Sequence, residues 1–149
     1  MENTPAVTDR DMEVAAALRT VIHRVVKLLR RETQGEGQLS LTERSVMGSL
    51  YQHGELAPSV LAQLEKVTTQ SMSQIINHLN ELELIDKTPS GEDKRMVLLS
   101  LSAKGKRYVE DVRDRKQEWL AHALHRKVSA GDKDVLMSAM KILIKIIEE

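Results

Sequence analysis

Residues 59–101 read SVLAQLEKVTTQSMSQIINHLNELELIDKTPSGEDKRMVLLSL, and the order of patterns within them decides the fold. A short helical pattern comes first and a tight connection follows. A second helical pattern then carries a polar face without charge. Two apolar strand-like runs flank Ser90-Gly91-Glu92-Asp93-Lys94-Arg95. Helix, turn, helix and hairpin in that order predict a winged helix-turn-helix, in which the second helix and the hairpin tip are the two elements free to meet a duplex.

The second helix is predicted with Thr68 as its cap. Met72, Ile75, Ile76, Leu79 and Leu82 recur at the spacing of one buried stripe. The same period places Gln70, Ser73, Gln74 and Asn77 on the opposite side, all donors or acceptors without charge. Carboxamides suit base edges, because one side chain can bond adenine N6 and N7 together. Surface helices more commonly carry Lys and Glu; an ordinary solvated face is the competing reading. The hairpin is predicted as Leu84-Ile85-Asp86-Lys87 out, a turn through Pro89-Ser90-Gly91, and Val97 to Leu101 back, with Val97, Leu99 and Leu101 toward one core. Gly91 permits a positive φ that would project Lys94 and Arg95 outward. An Arg on a narrow tip can enter a minor groove, and Asp93 is placed to orient it.

With these residues in view, the chain resembles the multiple antibiotic resistance regulator (MarR) family of bacterial winged-helix transcription factors. The likeness covers positions 41 to 105. It runs from Leu41-Thr42 through Gly54, Leu61-Ala62, Val67-Thr68 and the Leu79 to Ile85 segment, and closes with Asp93-x-Arg95 before Val97-x-Leu99-Ser100-Leu101-Ser102-x-x-Gly105. The resemblance implies a homodimer with residues 69 to 82 in a major groove, Arg95 in a minor groove, and a small aromatic or anionic effector. The expected DNA contacts are Thr68, Thr69, Gln70, Ser71, Ser73, Gln74 and Asn77 on the helix, and Lys87, Asp93, Lys94 and Arg95 on the hairpin. Several positions depart from the family pattern. Lys66 and Glu83 stand where members usually have Gly, so each must adopt an uncommon φ or the helix end is built differently. The usual Asp-Pro of the wing is Ser90-Gly91.

Outside this stretch, two long helices are expected to serve assembly. Residues 9 to 31 place Leu18, Val21, Ile22, Val25, Leu28 and Leu29 at helical spacing before a Gly35-Glu36-Gly37 break, and a long helix after Ser102 reaches about Arg126. Ser129-Ala130-Gly131-Asp132 opens a last helix as a capping box. Its stripe of Leu136, Ala139, Met140, Leu143, Ile146 and Ile147 is widened by Val135, Ile142 and Ile144 beyond what one neighbour covers. A mainly α (α+β) fold is therefore predicted as a single domain over 1–149: a winged helix-turn-helix DNA-binding region at 38–105 with a two-stranded β wing, and long N- and C-terminal dimerisation helices at 9–33 and 106–149.

Composition bounds the function classes. With 22 basic and 22 acidic residues the chain is neutral, and residues 58–101 hold four basic against six acidic ones. Phosphate neutralisation is thus weak within the reader, so Lys104, Lys106 and Arg107 at the next helix are candidate helpers. Cysteine is absent, which excludes a disulfide, a thiolate metal site or thiol-peroxide sensing. No apolar run reaches the roughly 18 residues of a membrane span, and Met1 to Ala6 lacks the features of a signal peptide, so a cytoplasmic protein with no membrane partner is expected. Glu118, His122 and His125 share one helix at metal-compatible spacing, yet a fourth ligand is missing and surface histidines are the plainer reading. Tyr51, Tyr108 and Trp119 read as core. No phosphate loop, nucleophile elbow or His-Glu-x-x-His run occurs, so neither a cofactor nor an enzyme is expected. A helical protein-interaction module without DNA binding is the alternative to a ligand-responsive repressor.

Overall fold

In the computed structural model, residues 6–32, 39–91 and 96–148 are described. They form α1 (Asp9–Glu32), α2 (Leu41–His53), α3 (Pro58–Leu64), α4 (Thr69–Glu81), β1 (Ile85–Pro89), β2 (Val97–Leu101), α5 (Ala103–Lys127) and α6 (Ala130–Ile147). The predicted winged helix-turn-helix with a two-stranded wing is the observed architecture. The chain divides into two compact units, 37–118 and 1–36 with 119–149, and α5 runs from one into the other. The Gly35-Glu36-Gly37 break and the wing tip Glu92-Asp93-Lys94-Arg95 lie outside the described residues.

Local chemistry sets each boundary in the first unit. Ser40 and Glu43 close a capping box at the start of α2: Ser40 Oγ accepts from the Glu43 N–H at 3.2 Å, and Glu43 Oε2 accepts from the Ser40 N–H at 2.6 Å. Gly54, with φ of 82°, ends that helix. Pro58 opens α3, where its fixed φ fits and its missing N–H costs nothing. Thr68 caps α4 by accepting from the Ser71 N–H at 3.1 Å. The two positions where glycine was missing are left-handed all the same, Lys66 at φ 53° and Glu83 at φ 60°. Each residue carries a strain of about 1 kcal/mol that glycine would avoid.

Leu61, Leu79 and Leu99 are fully buried in one core with Val46, Met47 and Leu50 from α2 and Met72 from α4, and Ile76 joins them. The wing is an antiparallel pair in the register Ile85↔Leu101 to Pro89↔Val97. Its other edge is met by Leu56, whose N–H and C=O both bond Leu99, at 3.0 and 2.9 Å. The hairpin departs from its predicted form at four positions. Leu84 is buried but precedes the strand; Pro89 ends β1 rather than forming the turn; and Val97 is exposed while Leu99 and Leu101 are buried. Pro89 is tolerated because β1 is an edge strand, where an N–H is dispensable. Nor does Gly91 use a positive φ; Gly54 is the described glycine that does.

The exit from α4 is locked to the entrance of α5. Ser102 Oγ donates to Glu83 O at 2.7 Å and accepts from the Gly105 N–H at 2.9 Å, while the Ser102 N–H donates to Leu84 O at 3.1 Å. A Cβ on Gly105 would lie 2.0 Å from Leu84 O. In the second unit, Thr8 and Asp11 exchange hydrogen bonds at the start of α1, and Ser129 caps α6 by accepting from the Asp132 N–H at 3.1 Å. Neither α1 nor α6 contains a buried residue, and Val21, Ile22, Val135, Met140, Ile142, Ile146 and Ile147 are all exposed in the single chain.

These boundaries can be tested by urea unfolding. Lys66→Gly and Glu83→Gly are each expected to raise stability by about 0.5–1 kcal/mol, since the native φ suits glycine. Gly105→Ala is expected to lose about 3 kcal/mol or more, because backbone rather than a movable side chain blocks the new methyl.

Candidate nucleic-acid interface

Buried Met72, Ile76 and Leu79 face α4 inward, with Ile75 and Leu82 packed at the margin, and this leaves the polar side of the helix open. Thr69, Gln70, Ser73, Gln74 and Asn77 are all exposed, as the helical period requires. The structure divides them by availability. Ser73 Oγ donates to Thr69 O at 2.9 Å, and Thr68 Oγ1 donates to Ser71 Oγ at 3.0 Å, so these hydroxyls already brace the helix start. By contrast, the carboxamides of Gln70, Gln74 and Asn77 bond no other described residue, and all their donors and acceptors are open to a partner.

Lys87 is exposed on β1 opposite Leu99. The wing ladder continues to the Ser90 N–H, which donates to Met96 O at 2.7 Å. Asp93, Lys94 and Arg95 fall beyond it, outside the described residues. Lys106 and Arg107 are exposed, but Lys104 is engaged elsewhere. Its Nζ donates to Leu82 O at 2.8 Å and lies 3.4 Å from Glu83 Oε2. A cation at the last carbonyls of α4 satisfies groups the helix itself cannot.

One feature escaped the sequence reading. Glu43 is a buried charged residue, and its Oε1 lies 2.5 Å from His78 Nδ1 on α4 while Oε2 holds the Ser40 N–H. Burial pushes its carboxyl up, but the bonds from His78 and from Ser40 outweigh this and hold it below its ordinary 4.5. The Ser-x-x-Glu cap is legible in sequence. Nothing local announces a partner 35 residues away.

Other candidates resolve more plainly. Tyr51 is not core: it is exposed, its hydroxyl donates to Glu110 Oε1 at 3.3 Å, and the Arg113 guanidinium stands 5.1 Å over its ring. Tyr108 is half-buried against the core, and Trp119 is half-buried. Glu118, His122 and His125 form no metal-capable group of three among the described residues. No helix among those residues is long and apolar enough to cross a membrane.

An amphipathic second helix beside a β wing defines the winged helix-turn-helix class. The sequence pattern of the MarR family matches residues 38–96. Over 141 residues the chain is 30% identical to an HTH-type transcriptional regulator of Mycobacterium tuberculosis, spanning 95% of this chain and 97% of that protein. An equally identical regulator occurs in Mycobacterium leprae. The chain therefore belongs to the MarR family of transcriptional regulators. Among solved structures, a MarR family protein from Bacillus stearothermophilus superposes with a TM-score of 0.75 at 17% identity, covering 97% of this chain and all of that one. A mutant of S. aureus MepR, solved bound to an oligodeoxyribonucleotide, gives 0.66 at 16%, covering 91% and 98%.

The depressed Glu43 carboxyl makes a pH prediction. A group whose folded pKa lies below its unfolded value contributes stability above the unfolded value and loses it as pH falls through the folded one. Wild-type stability should thus decline as pH drops below 4.5 more steeply than that of Glu43→Gln, as measured by urea unfolding at successive pH values.

Proposed function

We propose that the chain is a sequence-specific repressor that binds a pseudo-palindromic operator in double-stranded DNA as a homodimer and is released by a small aromatic or anionic ligand. The observation that carries the DNA reading is the open carboxamide face of Gln70, Gln74 and Asn77 on a helix whose other side is fixed in the core. In a major groove, such amides can pair with adenine N6 and N7. Thr68, Thr69, Ser71 and Ser73 stand at the helix start, where backbone N–H groups and the Thr69 and Ser71 hydroxyls suit a phosphate, while Thr68 and Ser73 brace the turn that presents them. Lys87, Asp93, Lys94 and Arg95 belong to the wing, with Arg95 assigned to the minor groove. The DNA-bound MepR mutant, which shares the fold, supports this use of the architecture.

Residues 38–105 are assigned to DNA binding, and 9–33 with 106–149 to dimerisation. Support for the latter is the apolar surface that α1 and α6 expose in the single chain. Burying each such side chain is worth about 1.5–3 kcal/mol. Two-fold symmetry would then place two copies of α4 on two operator half-sites. Ligand release rests on the family resemblance. A site in the cytoplasm fits all of these roles.

Two experiments test this reading. On an operator selected from random duplexes, Gln74→Ala and Asn77→Ala should each relax preference at particular base pairs by about 1–3 kcal/mol with the salt dependence unchanged. Arg95→Ala should instead weaken binding evenly and flatten the salt slope by about one unit per half-site. In sedimentation, Ile142→Glu with Ile146→Glu should convert a dimer to a monomer and abolish operator binding with it; a monomeric variant of full affinity would contradict the dimer.

A further inference from the structure

The buried carboxylate of Glu43 has two oxygens with different tasks. Oε2 closes the cap of α2, as one such residue does on many helices. Oε1 reaches across to His78 Nδ1, so a single group ties the start of α2 to the last turn of α4. The neighbouring cation does not compete, because Arg44 donates Nε and a terminal N–H to Leu39 O at 3.1 and 3.0 Å.

His78 follows Asn77 directly and lies four residues after Gln74, on the flank of the open carboxamide face. What holds that face in rotation needs a directional contact. Met72, Ile76 and Leu79 decide which side of α4 is buried, and Ser102 and Lys104 hold the chain at its end. Apolar burial is not directional, however, so a side-chain bond narrows the rotation further. A turn of the helix by about 10° at a side-chain radius of about 5 Å moves a tip by about 1 Å, enough to spoil a base-edge hydrogen bond. A short bond from an imidazole to a buried carboxylate resists such a turn.

We infer that His78, acting through Glu43, is a positioning residue for base-specific recognition: it sets the rotation of α4 so that Gln74 and Asn77 meet the base edges they read. This rests on the DNA-binding reading above. His78 itself makes no base contact in this role; it trades no proton and needs no ligand. Its loss therefore has a particular signature, in which discrimination falls while binding to phosphates does not.

The test compares full-length variants on the selected operator, on operators substituted at the base pairs assigned to Gln74 and Asn77, and on an unrelated duplex. His78→Leu removes the donor and leaves a buried charge without its partner, which can unfold the chain. Glu43→Gln with His78→Leu removes the charge as well while keeping an acceptor for the Ser40 N–H, so it isolates the positioning effect. That double variant should bind the unrelated duplex within about twofold of wild type, yet discriminate operator from substituted operator about tenfold less well. His78→Asn should restore discrimination, because its Nδ2 occupies the place of the imidazole Nδ1 and keeps the donor. A folded double variant with undiminished discrimination overturns the inference, as does His78→Asn behaving like His78→Leu. Wild-type protein that prefers no duplex overturns the DNA reading itself, and the inference falls with it.

Discussion

The carbonyl of Leu84 and the Cα of Gly105 approach so closely that no side chain fits between them. That contact fixes where α4 ends, where the wing begins and where α5 starts. Glu83 must turn left-handed for the chain to reach it, and Ser102 and Lys104 then satisfy the carbonyls left open at the end of α4. With that end held, and with Met72, Ile76 and Leu79 in the core, only one side of α4 remains for a partner. The open polar face is thus a consequence of how the helix is terminated and packed.

Electrostatics gives the face its character. Four basic and six acidic residues over positions 58–101 leave little attraction for phosphate within the reader. A neutral carboxamide face differs in kind from a basic one: hydrogen bonds from it depend on matching donors and acceptors, so under the proposed function recognition is more selective than adhesive. Lys104 illustrates the economy of positive charge, since it caps α4 instead of standing free.

Much of this was legible in sequence where the signal was periodic or local. The stripe from Met72 to Leu79 faces the core as its spacing requires, and Thr68 caps the helix as its hydroxyl permits. Lys66 and Glu83 could be singled out as conformational problems, and both proved left-handed. The errors lay where local rules meet tertiary context. Pro89 reads as a turn residue, yet on an edge strand its missing N–H is harmless. Tyr51 reads as core because it is aromatic, yet Arg113 and Glu110 give it a place at the surface. The Glu43–His78 bond was invisible for a different reason. A 35-residue separation leaves no periodic trace, and only the core that α2 and α4 share brings the two together.

The claim on which everything else turns is that the carboxamides of α4 read base edges. It can be watched directly in the side-chain amide resonances of Gln70, Gln74 and Asn77, assigned by substitution, as the protein is titrated with a selected operator and with a duplex of scrambled sequence. Large shifts and slowed exchange of the Gln74 and Asn77 amide protons are expected with the operator, and small averaged shifts with the scrambled duplex. If the operator binds and those resonances stay where they are in the free protein, α4 does not read DNA and the account is wrong.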